Sequence, residues 1–289
     1  MREIKLSDYE AAFAAMPCGF RICEREDVKW VTIPAIEAAG GVSHGFAMRY
    51  GGVSEGPFST LNLGWNRPDD KKAIETNYRR LAKAAGFAYE SMALVSYCHG
   101  DGVEIARAGD GGMGFPGGKR YPDCDGLVTK QRGVTLTTLH ADCMPVFLYD
   151  PVKRAGGMVH AGWRGASLRI GKRAALKMQE AFGCQPEHIL AGVGPSICAR
   201  CFEVDAPVME IFEKAFAGLP CIFWTEETQK YHVDLWRVMG AQLMEAGLLP
   251  EHITLSGLCT CHDEGFFSYR RDKKTIGETG AMAAFLRLL

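Results

Sequence analysis

No stretch of the 289 residues is apolar enough to cross a bilayer, which takes about 18–20 consecutive apolar side chains; residues 11–16 and 281–286 are among the longest runs. Excess charge of either sign is also missing, since 33 basic and 34 acidic side chains leave a net charge of −1. That balance removes the broad basic footprint that nucleic-acid binding requires. The opening residues, Met-Arg-Glu-Ile-Lys-Leu-Ser-Asp, have no apolar core of the signal-peptide type. Internal repeats, low-complexity tracts and linker-like shifts in composition are absent too. What remains is 47% hydrophobic and 23% charged, ordinary values for a folded chain. We expect a soluble, cytoplasmic protein with no membrane and no nucleic-acid partner.

Cysteine, by contrast, is plentiful. Eleven is an odd number spread along a long chain, so reduced thiols are expected rather than a disulfide framework. Apolar, β-prone runs at residues 28–33 and 41–48 precede a stretch crowded with turn residues, among them Gly51-Gly52 and Gly56-Pro57. Asp69-Asp70 then begins a helix whose apolar residues Ala73, Ile74, Tyr78, Leu81 and Ala84 recur at helical spacing, with Gly86 as its stop. Residues 93–96 and 102–106 read as strands, and 108–122 as a long loop with six glycines. Four β-prone runs follow in quick succession at 126–129, 134–139, 146–149 and 156–160. Beyond them come a helix over 166–182, a strand over 189–193, and helical patterns over 203–217, 233–246 and 280–289. Strands and helices mix without strict alternation. Residues 1–289 therefore read as a single mixed α/β domain of the α+β class, with mixed sheets flanked by helices.

Three clusters carry chemistry. They are Tyr97-Cys98-His99-Gly100, the run from Leu139 through His140, Asp142 and Cys143 to Pro145, and His160-Ala161-Gly162-Trp163-Arg164-Gly165. In the last two, an apolar strand ends in reactive residues and then glycine or proline turns the chain, the place where α/β proteins gather sites. His99, Cys143 and His160 together offer two imidazoles and a thiolate. Catalytic zinc takes three such ligands and keeps a fourth position open. Separations of 44 and 17 residues are unlike the close pairs of a zinc finger and suit a site assembled from separate strands. Each of the three is equally readable alone as a core residue.

The runs around Asp142-Cys143-Met144-Pro145 and Val159-His160-Ala161-Gly162-Trp163-Arg164-Gly165 closely resemble the bacterial laccase-domain, or multicopper polyphenol oxidoreductase, family, better described as zinc-dependent purine nucleoside enzymes. The resemblance runs from about residue 43 to 286. It includes Arg49-Tyr50-Gly51-Gly52-Val53-Ser54, Leu61-Asn62-Leu63-Gly64, Gly194-Pro195-Ser196-Ile197 and the segment from Phe266 to Arg271. It implies that His99, Cys143 and His160 hold zinc. Five positions depart from the family pattern: Tyr97 replaces a glutamine, Ala47 and Met48 stand where threonines are frequent, Ala281 replaces an arginine, and His140 takes another residue's place.

By the same resemblance the substrates are purine nucleosides and phosphate. The reactions are phosphorolysis of adenosine, inosine or methylthioadenosine to free base and ribose 1-phosphate, and hydrolytic deamination of adenosine, in which zinc activates water. Arg49, the Gly51-Gly52 backbone and Ser54 are expected to cradle phosphate, although the glycines alone read equally as a plain turn. Asp142 is assigned to general acid/base catalysis, with orientation of a metal histidine as its alternative. Arg164 is a candidate for phosphate or ribose, and Asn62, Tyr269, Arg270 and Arg271 follow from resemblance. Cys198 and Cys201, with Cys259, Cys261 and His262, suggest a second zinc site, but packing thiols are preferred.

Three rivals stand beside this reading, the least favoured being a non-enzymatic nucleoside- or partner-binding protein that merely retains the fold. Copper-dependent phenol oxidation would use His99, Cys143, His160 and Met144. Yet adjacent strand residues face opposite ways, and the sequence has no His-x-His pair for a trinuclear centre. A cysteine hydrolase would instead use Cys143 as nucleophile with His160 as base.

Overall fold

A computed structural model describes residues 6–289; residues 1–5, where the reading for a signal peptide begins, lie outside the described residues. Two six-stranded mixed sheets form the frame. The first has the order β1 (Arg21–Arg25), β2 (Val28–Thr32), β3 (Val42–Ala47), β15 (Met282–Leu288), β7 (Thr135–His140) and β4 (Met92–Leu94). The second runs β14 (Ile253–Leu255), β10 (Leu190–Val193), β8 (Met144–Asp150), β9 (Ala155–Ala161), β6 (Gly126–Thr129) and β5 (Val103–Ile105). A small third sheet joins β11 (Glu203–Val204), β13 (Lys230–Val233) and β12 (Ile222–Thr225). The fold class is α+β, as the sequence reads.

The two large sheets lie face to face. Leu136, Met282, Ala284, Leu286 and Leu288 of the first pack with Leu127, Phe147, Tyr149 and Met158 of the second. On the outer face of the first sheet, α3 (Lys71–Ala85) buries Ile74, Tyr78 and Leu81 against Phe285 and Ala283. On the outer face of the second, α5 (Ile170–Phe182) and α7 (Leu235–Glu245) cover Val146, Leu148 and Val159. With both faces covered, β8 and β9 are buried at every residue, which is why they read as continuous apolar runs rather than as alternations. Each large side chain so buried contributes roughly 1.5–3 kcal/mol.

Local signals set several ends. The Asp70 side chain accepts from the backbone N–H groups of Lys72 and Ala73 at the start of α3, and Gly86, in the left-handed region, stops it. Elsewhere the structure corrects the reading. Residues 282–288 form a strand rather than a helix, paired with both β3 and β7. Their Ala-rich run suits a helix, but burial on both faces erases the period that separates the two. The helix read over 166–182 is two, α4 (Trp163–Ser167) and α5, divided where Arg169 takes φ 65°. The pattern over 203–217 begins with β11, and α6 (Ala206–Ala215) starts only where Pro207 fits the first turn. Among the described residues no helix is long and apolar enough to cross a membrane.

His44 of β3 yields a stability prediction. Its Nε2 accepts the Ile33 N–H at 2.9 Å, and burial lowers its pKa from 6.5 to about 4. Between those values the unfolded chain takes a proton that the folded chain refuses. His44 therefore favours the fold above pH 6.5, and that contribution, about 3 kcal/mol at most, is lost as pH falls to 4. His44→Gln keeps an acceptor for Ile33 but cannot titrate. Its denaturation midpoint should vary less with pH across this window than the wild type's, and parallel profiles would show that His44 is not the group responsible.

Candidate metal centre

Strand ends and one loop build the site. His160 sits near the end of β9, Cys143 just before β8, and His99 in the loop after β4. The register sets Pro145 of β8 opposite His160, which carries the Cys143 sulfur towards the histidine. The three ligand atoms lie within 4.8 Å of one another. Gly162 leaves the room: a Cβ there would stand 3.1 Å from the His99 ring and 3.4 Å from the Cys143 sulfur. Tyr97 and His99, both at φ 57°, and Asp142, at φ 84°, hold left-handed backbone conformations that non-glycine residues seldom adopt.

Asp125, just before β6, orients His160. One carboxylate oxygen accepts from His160 Nδ1 at 2.8 Å; the other accepts from the Cys98 thiol at 2.8 Å and the Gly100 N–H at 2.9 Å. With Nδ1 so engaged, Nε2 is the nitrogen left for a metal. Sequence reading missed Asp125 because only the pairing of β6 with β9 brings it to His160.

The donors polarise one another. Burial pushes the Cys143 thiol up, but His160 and His99 more than offset it and hold its pKa near 6. Burial likewise opposes charge on His160, yet the Cys143 thiolate and Asp125 lift it to about 9. The hydrogen bond to Cys143 raises His99, and Asp125 is held at about 2 despite burial because His160, Cys98 and Gly100 hydrogen-bond to it. Without metal the set is thus a thiolate beside imidazolium, a donor set that suits a divalent cation. Two imidazoles and one thiolate in this compass fit zinc. Met144 is fully buried within the apolar core and is absent from the cavity wall, as the alternation argument against a blue-copper set requires.

The three donors line a cavity of about 770 Å³ together with Asp142, Arg67, Arg120, Arg164 and Arg270. Asp142 accepts from the Thr260 hydroxyl and the Arg270 N–H, each at 2.6 Å; burial nevertheless raises its pKa. Arg164 stacks on Trp163, its guanidinium carbon 4.5 Å from the ring centre. Trp65 Nε1 and the Tyr97 hydroxyl are buried without a hydrogen-bond partner, and both residues line the same cavity. Tyr269 is on the wall as well. His140 is not a free donor: Nε2 meets the Thr138 hydroxyl at 2.7 Å and Nδ1 the Cys143 carbonyl at 3.0 Å.

Arg49, Ser54 and Asn62, expected to bind phosphate or substrate, are not among the residues of this wall. Arg49 donates to the Ser59 carbonyl at 2.8 Å and lies over Phe267. The Ser54 hydroxyl and Asn62 amide both donate to Asp69, while Asn62 Oδ1 accepts from the Gly64 and Ala281 N–H groups. The Gly52 N–H is taken by Thr60, and a Cβ at Gly52 would stand 2.0 Å from the Thr60 carbonyl oxygen. The glycines form a turn packed closely on backbone. Arg271 is equally structural, donating to the carbonyls of Thr260, Cys261, Asp263 and Phe266.

Residues 43–289 match the family described as multi-copper polyphenol oxidoreductase laccase. The chain is 33% identical over 268 residues to the purine nucleoside phosphorylase YlmD of Geobacillus stearothermophilus, covering 92% of this chain and 96% of that protein. It is 39% identical over 248 residues to a purine nucleoside phosphorylase of Deinococcus radiodurans, covering 86% of this chain and 89% of the other. The crystal structure of YlmD from Geobacillus stearothermophilus superposes with a TM-score of 0.84 at 32% identity, covering 93% of this chain and 98% of that one.

Proposed function

We propose, from the premise that this chain belongs to the multi-copper polyphenol oxidoreductase laccase family, that residues 1–289 act as one zinc-dependent purine nucleoside phosphorylase domain. Its reaction is cleavage of adenosine, inosine or methylthioadenosine by phosphate to free base and ribose 1-phosphate. The observation that carries this reading is the three-donor centre on the wall of an arginine-lined cavity, in a chain whose relatives bear the phosphorylase name. A cytoplasmic setting belongs to the proposal, since all eleven cysteines are free thiols, as suits a reducing compartment.

Zinc held by His99, Cys143 and His160 would supply Lewis acidity at the cavity wall. The protein's own groups supply the rest. Arg164, with Arg67, Arg120 and Arg270, makes the cavity positive where phosphate must enter. Asp142, on the cavity wall beside Cys143, is the group assigned to protonate the departing base, which accumulates negative charge as the glycosidic bond breaks. The same carboxyl suits adenosine deamination, where ammonia leaves and needs a proton.

The test is product analysis of zinc-replete protein with adenosine and phosphate. Adenine with ribose 1-phosphate is expected, and inosine with ammonia reports the deamination. Asp142→Asn should lower kcat by about 10²–10⁴-fold with zinc content unchanged. Absence of both product sets would sink the nucleoside assignment, and phenol oxidation by copper-loaded protein in their place would establish the copper reading.

A further inference from the structure

A second cluster of metal-ligating side chains stands apart from the centre described above. Cys198, Cys201, Cys259 and His262 come together from two loops, their donor atoms all within 4.8 Å of one another. We propose that these four residues form a structural zinc site that staples the loop after β10 to the loop after β14.

Spacing supports it first. The ligands fall as Cys-x-x-Cys and Cys-x-x-His, two close pairs of the kind structural zinc sites use. Taking Cys261 with Cys259 conceals this pattern in the sequence; the structure selects His262 instead. Three thiols and one imidazole complete a tetrahedral set, whose donors around zinc stand about 3.5–3.8 Å apart. Cys201 Sγ lies 3.1 Å from His262 Nε2.

The surroundings favour thiolates. The Cys198 N–H points at the Cys259 sulfur at 3.3 Å. Carbonyls beside the cluster face guanidinium groups: Arg270 donates to the Cys201 carbonyl at 2.8 Å, and Arg271 donates to those of Thr260, Cys261 and Asp263. Three thiolates with one divalent cation carry a net negative charge, and these two arginines lie beside it. Packing does not explain the cluster, since Cys198 and Cys201 are only half-buried and His262 is exposed. On this proposal they are ligands rather than packing thiols.

The staple also fixes the cavity. The Cys198–Cys201 turn is closed by the Cys201 N–H donating to the Cys198 carbonyl at 3.0 Å, and the Arg270 side chain, on the cavity wall, hangs from the carbonyls of Cys201 and Glu203. Thr260, next to Cys259, holds Asp142. The second ion thus positions Arg270 and Asp142 without touching substrate.

Metal content tests it independently of any activity. Protein produced in zinc-supplemented medium and passed over a desalting column should carry about two zinc ions per chain. The double variant Cys143→Ser, His160→Ala should keep about one, and Cys201→Ser, His262→Ala should lose about one. Exchange of the first double variant with cobalt should give the intense thiolate charge-transfer absorption of a site rich in sulfur. Should a double variant fail to fold, wild-type protein still decides. Cys198, Cys201 and Cys259 should resist alkylation until a chelator is added, as mapped by mass spectrometry. Free alkylation of these thiols in zinc-replete protein, or a disulfide among them, overturns the proposal. So does a folded Cys143→Ser, His160→Ala protein without metal. Failure of the phosphorylase assay with two zinc ions present would instead count against the proposed reaction alone.

Discussion

Cys143→Ser lowers kcat/KM for nucleoside phosphorolysis by about 10³-fold or more and removes the ion held with His99 and His160. A serine hydroxyl stays protonated where the thiol does not, so one of three anchoring donors is lost outright. The fold survives, because serine occupies almost the same volume and Gly162 leaves space around the sulfur. Isothermal titration with zinc, beside product analysis, checks both halves. The direction of the pH dependence also follows. In metal-free protein His160 keeps its proton up to about pH 9 while Cys143 loses its own near 6. Zinc uptake at neutral pH therefore expels about one proton from His160, and affinity strengthens as pH rises towards 9. Titrations in buffers of different ionisation enthalpy measure that proton. If iodoacetamide alkylates Cys143 equally fast in zinc-replete and zinc-free wild-type protein, the thiolate is a free nucleophile and the hydrolase reading gains the ground.

Asp125→Asn weakens zinc binding by about 10–100-fold, the usual cost of removing the carboxylate behind a metal-binding histidine. An amide can accept from His160 Nδ1 through its oxygen. Its NH2 then faces the Cys98 thiol and the Gly100 N–H, two donors that the carboxylate satisfies in the native protein. The defect is one of affinity, so excess zinc should restore most of the turnover. A variant that binds zinc as tightly as wild type would remove Asp125 from the centre. One that stays inactive at saturating zinc would give it a different role.

These two residues show unequal legibility in the sequence. Cys143 stands in a reactive run between two apolar strands, legible because β7 is buried at all but Leu139 and β8 at every residue. Asp125 sits in an unremarkable Pro-Asp-Cys-Asp-Gly turn, and its role exists only through the pairing of β6 with β9. The last strand was misread for a related reason: in the middle of a covered sheet, Met282–Leu288 has no exposed face to mark a period of two. Arg49, Ser54 and Asn62 have residue types that suit anion binding, and the structure engages Arg49 Nε with the Ser59 carbonyl and the other two side chains with Asp69. Cys198, Cys201, Cys259 and His262 suggest a second site in the sequence, but only the tertiary structure sets their donor atoms within 4.8 Å of one another.

Composition, charge and the order of strands and helices follow from local preferences and burial patterns, so the class of the fold and the three candidate ligands His99, Cys143 and His160 were readable along the chain. Which side chains meet across 35 or more residues, as Asp125 and His160 do, depends on sheet register and on which hydrogen-bond donors are already satisfied. Those are properties of the packed layers, since a polar group can serve a ligand only where the folded protein leaves it unspent, and the tertiary structure alone decides that.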